Sequence, residues 1–135
     1  MNQQGIWEIK LPNALGEFLN PRAPYYFKLD QAQGQELCRI IAKTYGVSAP
    51  RVVANAKKVK EEGHVNGFYE PREATIYVYA KAHIKTYLHL FFYHLFFEKA
   101  VFMETEKISE HQIGWVWAEL YWAAMRALQT ETTNQ

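Results

Sequence analysis

The sequence AHIKTYLHLFFYHLFFEKAVF, residues 82–102, decides the fold of this chain. It is almost wholly apolar and aromatic, which predicts a helix that is packed on most of its sides. Its longest apolar run, Tyr87 to Phe97, contains two histidines and is well short of the roughly 20 residues that span a bilayer. We therefore expect a buried core helix and no membrane partner.

Capping patterns predict a further helix before and after this core helix. The pair Asp30 and Gln33 opens a helix over residues 31–45, because a short acceptor followed three positions later by glutamine is a helix-start signature. A similar pair, Ser109 and Gln112, opens an aromatic helix that runs to about residue 128. We therefore expect the core helix to pack against helices contributed from both sides in sequence.

Three strands are predicted between the first helix and the core helix. Their segments are short and rich in β-branched and aromatic residues: 51–56, 65–69 and 75–80. The turn Glu70-Pro71-Arg72-Glu73 joins the last two as a hairpin, with Asn66-Gly67 as a competing turn. Residues 5–11 alternate weakly and could form another strand. The expected fold class is α+β, with a three-stranded sheet packed against a buried aromatic helix and flanking helices.

The length and composition predict one domain. A chain of 135 residues, of which 49% are hydrophobic, fills one core and is too short for two. Prolines at positions 12, 21 and 24 interrupt a segment without a steady period. We therefore expect an N-terminal arm or cover segment over 1–28, a domain over 29–129 and a disordered tail over 130–135.

Charge and cysteine content predict a cytoplasmic protein without a strong electrostatic partner. Fifteen basic and fourteen acidic side chains leave a formal charge of +1, so no overall field attracts nucleic acid or an anionic membrane. The single cysteine, Cys38, cannot form an internal disulfide, and the sequence has no signal-like N-terminus and no N-glycosylation sequon. This pattern is typical of an intracellular, reducing compartment.

The order of these elements resembles the minimal zincin fold of small SprT-like and ImmA-like metallopeptidases. In that family, a strand reading roughly Gly-x-Tyr-x-Pro, a turn and an Ile-rich strand lead into a helix that bears His-Glu-x-x-His. The matching stretches here are GFYEP (67–71), TIYVY (75–79) and KTYLH (85–89). The resemblance spans about residues 29–128 and implies a zincin-like domain.

The catalytic motif of that family is not intact in this chain. In His-Glu-x-x-His, two histidines four residues apart bind the metal from one helix face, and the glutamate deprotonates the bound water. A motif that starts at His89 has Leu90 in the glutamate position and Tyr93 in the second ligand position. Loss of a general base typically costs about a hundredfold to ten-thousandfold in rate. The sequence therefore favours a catalytically inactive, metallopeptidase-like protein that acts as a peptide- or protein-binding module or as a structural module, with no cofactor.

A second register leaves a metal-dependent hydrolase as an alternative hypothesis. A motif that starts at His94 again has leucine in the glutamate position but keeps Glu98 as a second ligand. The resemblance adds Glu119, because some zincins take their third ligand from a glutamate on the following helix. The candidate zinc ligands are therefore His89, His94, Glu98 and Glu119. Without a metal, His94 and Glu98 would form a pair on one helix face, Glu119 would be a surface acid near a lysine or arginine, and His89 would be a buried, hydrogen-bonded histidine.

Aromatic residues supply the candidate binding surface for a peptide or protein partner. Tyr77 and Tyr79 alternate along one strand, so they form a row on one sheet face that is either a second packing layer or a recognition surface. The resemblance implies that an extended peptide docks by edge pairing with the strand beside the core helix. Tyr69, in the matching GFYEP stretch, is a further candidate binding residue. Most of the four tryptophans are expected to fill the core, but some could form an exposed patch for a homo-oligomer or another partner.

A basic cluster leaves nucleic-acid binding as a third hypothesis. Lys57, Lys58 and Lys60 follow each other closely, and the tyrosines at 69, 77 and 79 could stack on bases. However, Glu61 and Glu62 follow at once, which favours a solvated loop at 57–60.

Overall fold

The computed structural model describes residues 8–19, 28–64, 66–99 and 110–134, which form an α+β fold. The helices are α1 Asn13–Leu19, α2 Gln31–Tyr45, α3 Ala56–Glu61, α4 Ile84–Glu98 and α5 Glu110–Asn134. The strands are β1 Lys28–Asp30, β2 Arg51–Ala54, β3 Gly67–Glu70, β4 Thr75–Val78 and β5 Lys81–His83. Within these residues no helix has both the length and the apolar character needed to cross a membrane.

The predicted three-stranded sheet is confirmed, in the order β2-β4-β3. β2 runs parallel to β4, and β3 runs antiparallel to β4 through the predicted hairpin at residues 70–73. The competing turn at Asn66-Gly67 is not used, since Gly67 begins β3. A Cβ at Gly67 would lie 2.6 Å from the carbonyl oxygen of Tyr77, so a side chain here would prevent the close approach of β3 to β4.

A second, two-stranded ladder was not predicted. β1 pairs antiparallel with β5, directly before α2 and α4 respectively. The predicted core helix therefore begins at Ile84 rather than Ala82, because residues 81–83 are held in the extended conformation by this pairing. The predicted end of the helix at Phe102 lies outside the described residues.

Helix α2 has the limits that the sequence predicts. The Asp30 carboxylate accepts from the Gln33 N–H at 2.8 Å, and the Gln33 side chain accepts from the Asp30 N–H at 3.1 Å. After Tyr45 the chain turns at Gly46, with φ of 70°, a conformation that costs glycine little. Local sequence alone therefore determines both ends of this helix.

Helix α4 lies at the centre of the core, as predicted. Eleven of its fifteen residues are buried, including the fully buried Tyr87, Leu88 and Phe91. The hydroxyl of Tyr87 donates to the carbonyl oxygens of Leu29 and Asp30, each at 3.3 Å. This phenol therefore joins the core helix to β1.

Residues 13–19 form a helix instead of an irregular cover segment. Leu15, Phe18 and Leu19 are buried in the main core, and their i, i+3, i+4 spacing suffices for one apolar helix face. Nearby, the Tyr121 hydroxyl donates to the Lys10 carbonyl at 2.6 Å. Residues 8–11 do not form the suggested strand, and residues 5–7 lie outside the described part.

Residues 56–61 form α3, which corrects the predicted solvated loop at 57–60. The Asn55 side chain caps the helix by accepting from the Lys58 N–H at 3.0 Å. Val59 is fully buried in a second cluster with Phe68 and Tyr77. A single apolar residue among charged neighbours therefore gives this short helix a face that packs on the sheet.

The predicted domain boundaries stay predictions. Strand β1 spans the proposed boundary between 28 and 29, and α5 continues to Asn134 through most of the proposed tail. Ser109, half of the second capping pair, lies outside the described residues.

The contact between Gly34 and Tyr87 generates a test of the core. A Cβ at Gly34 would lie 2.2 Å from the Tyr87 ring, which is fully buried and held by its hydroxyl. We expect Gly34→Ala to lower the free energy of unfolding by about 1–3 kcal/mol, the usual cost of overpacking. Urea denaturation measures this change.

The matched control for this substitution is Gly16→Ala in α1, where an added Cβ meets nothing within 4 Å. We expect it to be neutral or to stabilise by up to about 1 kcal/mol through helix propensity. Equal effects of the two substitutions would show that helices α2 and α4 do not approach each other as described.

Candidate functional site

Two hydrogen bonds determine which residues of β4 face β2. The Arg51 N–H donates to the Ala74 oxygen at 2.9 Å, and the Asn55 N–H donates to the Val78 oxygen at 2.8 Å. Backbone groups of successive residues point to opposite sides of a strand. The even-numbered residues of β4 therefore face β2, and its odd-numbered residues face β3.

This alternation leaves one edge of β3 open. Phe68 stands opposite Tyr77, an odd-numbered residue of β4, so Phe68 and Glu70 direct their backbone groups to β4. The N–H and C=O groups of Gly67 and Tyr69 point away from the sheet. In the part of the chain that the structure describes, no strand pairs with this edge.

The opposite edge of the sheet is closed by glutamine side chains of α2. The Gln35 oxygen accepts from the Val52 N–H at 2.9 Å, and the Gln31 oxygen accepts from the Ala54 N–H at 2.6 Å. These two glutamines, one helical turn apart, satisfy the outward donors of β2 and so prevent further strand pairing. The two edges of the sheet are therefore chemically different.

A cleft of about 230 Å³ lies beside the open edge, between β3 and α4. It is lined by the first three residues of the GFYEP stretch, a loop histidine and the three motif positions of α4: Gly67, Phe68, Tyr69, His64, His89, Leu90 and Tyr93. The structure thus brings the degenerate motif and the strand together. His64 and Phe68, which stack at 4.9 Å, were not among the predicted site residues.

His89 lies at the base of the cleft, against α5. It is 5% exposed and stacks on Trp115, with ring centroids 4.2 Å apart and planes at 21°. A Cβ at Gly114 would lie 2.8 Å from the His89 ring, so glycine allows α5 to approach α4 here. Helix α5 therefore fixes the orientation of this histidine.

His94 joins three parts of the fold through both ring nitrogens. Its Nε2 lies 2.7 Å from the Ser48 carbonyl oxygen, and its Nδ1 lies 2.8 Å from the Tyr69 hydroxyl. A carbonyl can only accept, so Nε2 carries the proton and neutral Nδ1 accepts from Tyr69. The hydrogen bonds of His94 therefore go to β3 and the α2–β2 loop rather than to Glu98.

Burial determines the protonation of this pair. Desolvation lowers the pKa of His94, although its hydrogen bond to Ser48 and the charge of Glu98 act in the opposite direction. Burial also raises the pKa of the Tyr69 hydroxyl to about 12. Both groups are therefore neutral near pH 7, and their contact is an ordinary hydrogen bond between a phenol and an imidazole.

The four candidate zinc ligands do not converge. Glu98 is exposed, and the Glu119 carboxylate pairs with the Lys85 ammonium at 2.9 Å, as expected for a surface acid. Across the described ranges, no group of three or more His, Cys, Asp or Glu side chains could hold a metal ion. His89 stacks on Trp115 of α5, whereas His94 bonds Ser48 and Tyr69, so the two histidines have different partners.

Both tyrosines of the predicted row, Tyr77 and Tyr79, pack with the second cluster around Val59. Tyr77 is 6% exposed beneath α3, its hydroxyl donates to Glu73, and the Lys58 ammonium lies 4.4 Å from its ring centroid. Tyr77 therefore belongs to a second packing layer, which is one of the two predicted alternatives, rather than to a recognition surface. Lys57 and Lys60 are exposed on α3. Of the predicted binding residues, Tyr69 lines the cleft.

The aromatic residues of α5 fill the core. Trp122 and Tyr121 are buried, and Trp115 and Trp117 pack against the main cluster. The large apolar side chains exposed on the described surface are Ile9, Phe97, Val116 and Leu120. The predicted aromatic surface for a homo-oligomer stays a prediction.

The neutral state of His94 predicts a pH-dependent stability. In the unfolded chain, His94 takes up a proton as the pH falls through about 6.5, the ordinary pKa of histidine. In the folded protein, the same ring stays neutral until a lower pH. The contribution of His94 to the free energy of unfolding should therefore be fully present above about pH 6.5 and be lost as the pH falls below this value. Urea denaturation between pH 8 and pH 5.5 measures the loss.

The control is His94→Gln, which keeps an N–H donor but does not titrate. Its stability should fall less steeply over the same pH range than that of the parent protein. The two proteins must be compared because burial also lowers the pKa of His83, which adds its own pH dependence to the stability of both. Identical slopes for the two proteins would contradict the assignment of His94 as a buried neutral group.

Comparison with models of known protein families, with curated proteins and with solved structures finds no match.

Proposed function

We propose that this protein is a catalytically inactive, metallopeptidase-like binding protein that holds an extended peptide along the open edge of β3. The observation that carries the proposal is the outward direction of the Gly67 and Tyr69 backbone groups beside the cleft with His89. An extended peptide satisfies such groups by adding a strand, and its alternate side chains then enter the neighbouring cleft.

The zincin-like assignment belongs to this proposal. It is supported by the order of α2, the β3–β4 hairpin, α4 and α5, and by the cleft that contains both the strand and the degenerate motif. Leu90 occupies the position of the catalytic glutamate and is 4% exposed. A hydrocarbon here cannot deprotonate water, whereas strand addition requires only backbone groups and remains available.

The cleft indicates the kind of side chain that the peptide presents. Phe68, Tyr69 and Tyr93 give it aromatic walls, and none of its lining residues is a carboxylate or a lysine. Aromatic rings bind apolar and aromatic groups through area burial and ring contacts. We therefore propose an extended segment with an apolar or aromatic residue facing α4. The zinc hydrolase and nucleic-acid alternatives stay predictions.

A random linear dodecapeptide library displayed on phage provides the ligand for the test. Binding of a selected synthetic peptide should protect the amides of Gly67 and Tyr69 from hydrogen exchange, because they become donors to the peptide. N-methylation of the peptide should weaken binding about tenfold or more at every second residue and little at the others. Fluorescence anisotropy measures the affinities.

Two tyrosine substitutions provide a matched pair. Tyr93→Ala removes a wall of the cleft and should weaken binding, whereas Tyr79→Ala, in a separate pocket, should not. Sensitivity to N-methylation at helical spacing, or unchanged exchange at Gly67 and Tyr69 with saturating peptide, would overturn the proposal.

A further inference from the structure

A second pocket lies at the start of α4 and has a different chemical character. It encloses about 270 Å³ and is lined by Ala82 and by six polar residues from β1, β5, α4 and the positions next to β3 and β4: Lys28, Asn66, Tyr79, Lys81, His83 and Thr86. All six can donate hydrogen bonds, and no carboxylate lines this α4 pocket. Its size is near the lower end of known ligand sites, about 300 Å³, so it suits a small ligand.

The two lysines lie on one face of the β1–β5 ladder. Lys28 stands opposite His83, and Lys81 stands opposite Asp30. The Asp30 carboxylate accepts from the Gln33 N–H at the start of α2. Among the described residues neither lysine forms an ion pair, although the Asp30 carboxylate lies on the same face of the ladder.

Thr86 is the most specific feature of the pocket. The residue is 7% exposed and lines the pocket from the first turn of α4. A helical threonine hydroxyl commonly donates one turn back, as Thr44 does to the Ile40 carbonyl at 3.2 Å. The Thr86 hydroxyl makes no hydrogen bond within the described structure. This hydroxyl is therefore available to donate to a ligand in the pocket.

His83 adds a donor with a defined tautomer. Its Nδ1 accepts from the Lys85 N–H at 3.0 Å and caps α4, so the ring proton is on Nε2. Burial lowers the pKa of His83, and the charges of Lys85 and Lys28 lower it further against the opposing charge of Glu119. The surroundings are therefore electropositive, and the N-terminal end of the 15-residue α4 adds to this potential.

We propose that the α4 pocket binds a phosphoryl oxyanion, either inorganic phosphate or the phosphate group of a small monoester. A phosphate presents three or four oxygens to donors that converge from several elements, whereas a carboxylate presents two. The site shares no lining residue with the cleft beside β3. The proposal therefore does not depend on peptide binding.

Titration with sodium phosphate tests the site in the full-length protein. Amide resonances of Asn66, Lys85 and Thr86 should shift in a saturable manner in two-dimensional ¹H–¹⁵N spectra. Sodium chloride at matched ionic strength should not produce these shifts. Phenyl phosphate, as a monoester, distinguishes the two sources: tighter binding than phosphate assigns the site to an ester, and equal or weaker binding assigns it to the free ion.

The variants distinguish a specific phosphate site from a general attraction of anions to positive charge. Lys28→Gln with Lys81→Gln should weaken phosphate binding about tenfold or more, and Thr86→Val should weaken it several-fold without loss of folding. The control, Lys57→Gln with Lys60→Gln, makes the same charge change on α3 and should leave binding unchanged. Equal weakening in both double variants, or shifts that chloride reproduces, would overturn the proposal. If the Lys28 and Lys81 variant unfolds, Thr86→Val alone decides, and unchanged affinity in it would also overturn the proposal.

Discussion

Burial of α4 on nearly every side is the constraint on which the rest of the structure depends. An apolar helix without a polar face must be enclosed, and α2, α5 and the three-stranded sheet do this. The few polar groups inside it must then find partners in the enclosing elements. Tyr87 donates to the β1 carbonyls, and His94 bonds Ser48 and Tyr69. The polar residues of α4 thus determine where its neighbours lie.

Close packing makes glycine as important as the aromatic residues. Gly34 allows α2 to approach the Tyr87 ring, and Gly114 allows α5 to approach His89. Large rings on one helix need matching gaps on the next, because protein interiors leave few voids. The orientation of His89 at the base of the cleft is therefore a consequence of helix packing, and the candidate site depends on the same contacts as the core.

The two edges of the three-stranded sheet differ chemically. One edge is closed by Gln31 and Gln35, which occupy the hydrogen-bonding positions of a missing strand. The edge at Gly67 and Tyr69 lacks such a cover in the described residues and borders an aromatic cleft. Natural sheets usually protect their edges against unwanted pairing, so selective protection of one edge supports a binding role for the other. The α4 pocket lies at the N-terminal end of α4 and shares no lining residue with the cleft beside β3.

Signals close together in the sequence determined the helices whose ends depend on adjacent residues in the chain. The capping box of Asp30 and Gln33 and the left-handed Gly46 determined the ends of α2. The continuous apolar run determined α4, because helix caps and burial patterns are encoded within a few residues. Only the tertiary structure decided which polar side chains meet. The partners of His94 lie 25 and 46 residues away along the chain, and no spacing rule connects them. The same reason explains why Tyr77 was buried by α3 and why Lys28, Lys81 and Thr86 came together: strand pairing and register bring distant residues to one place.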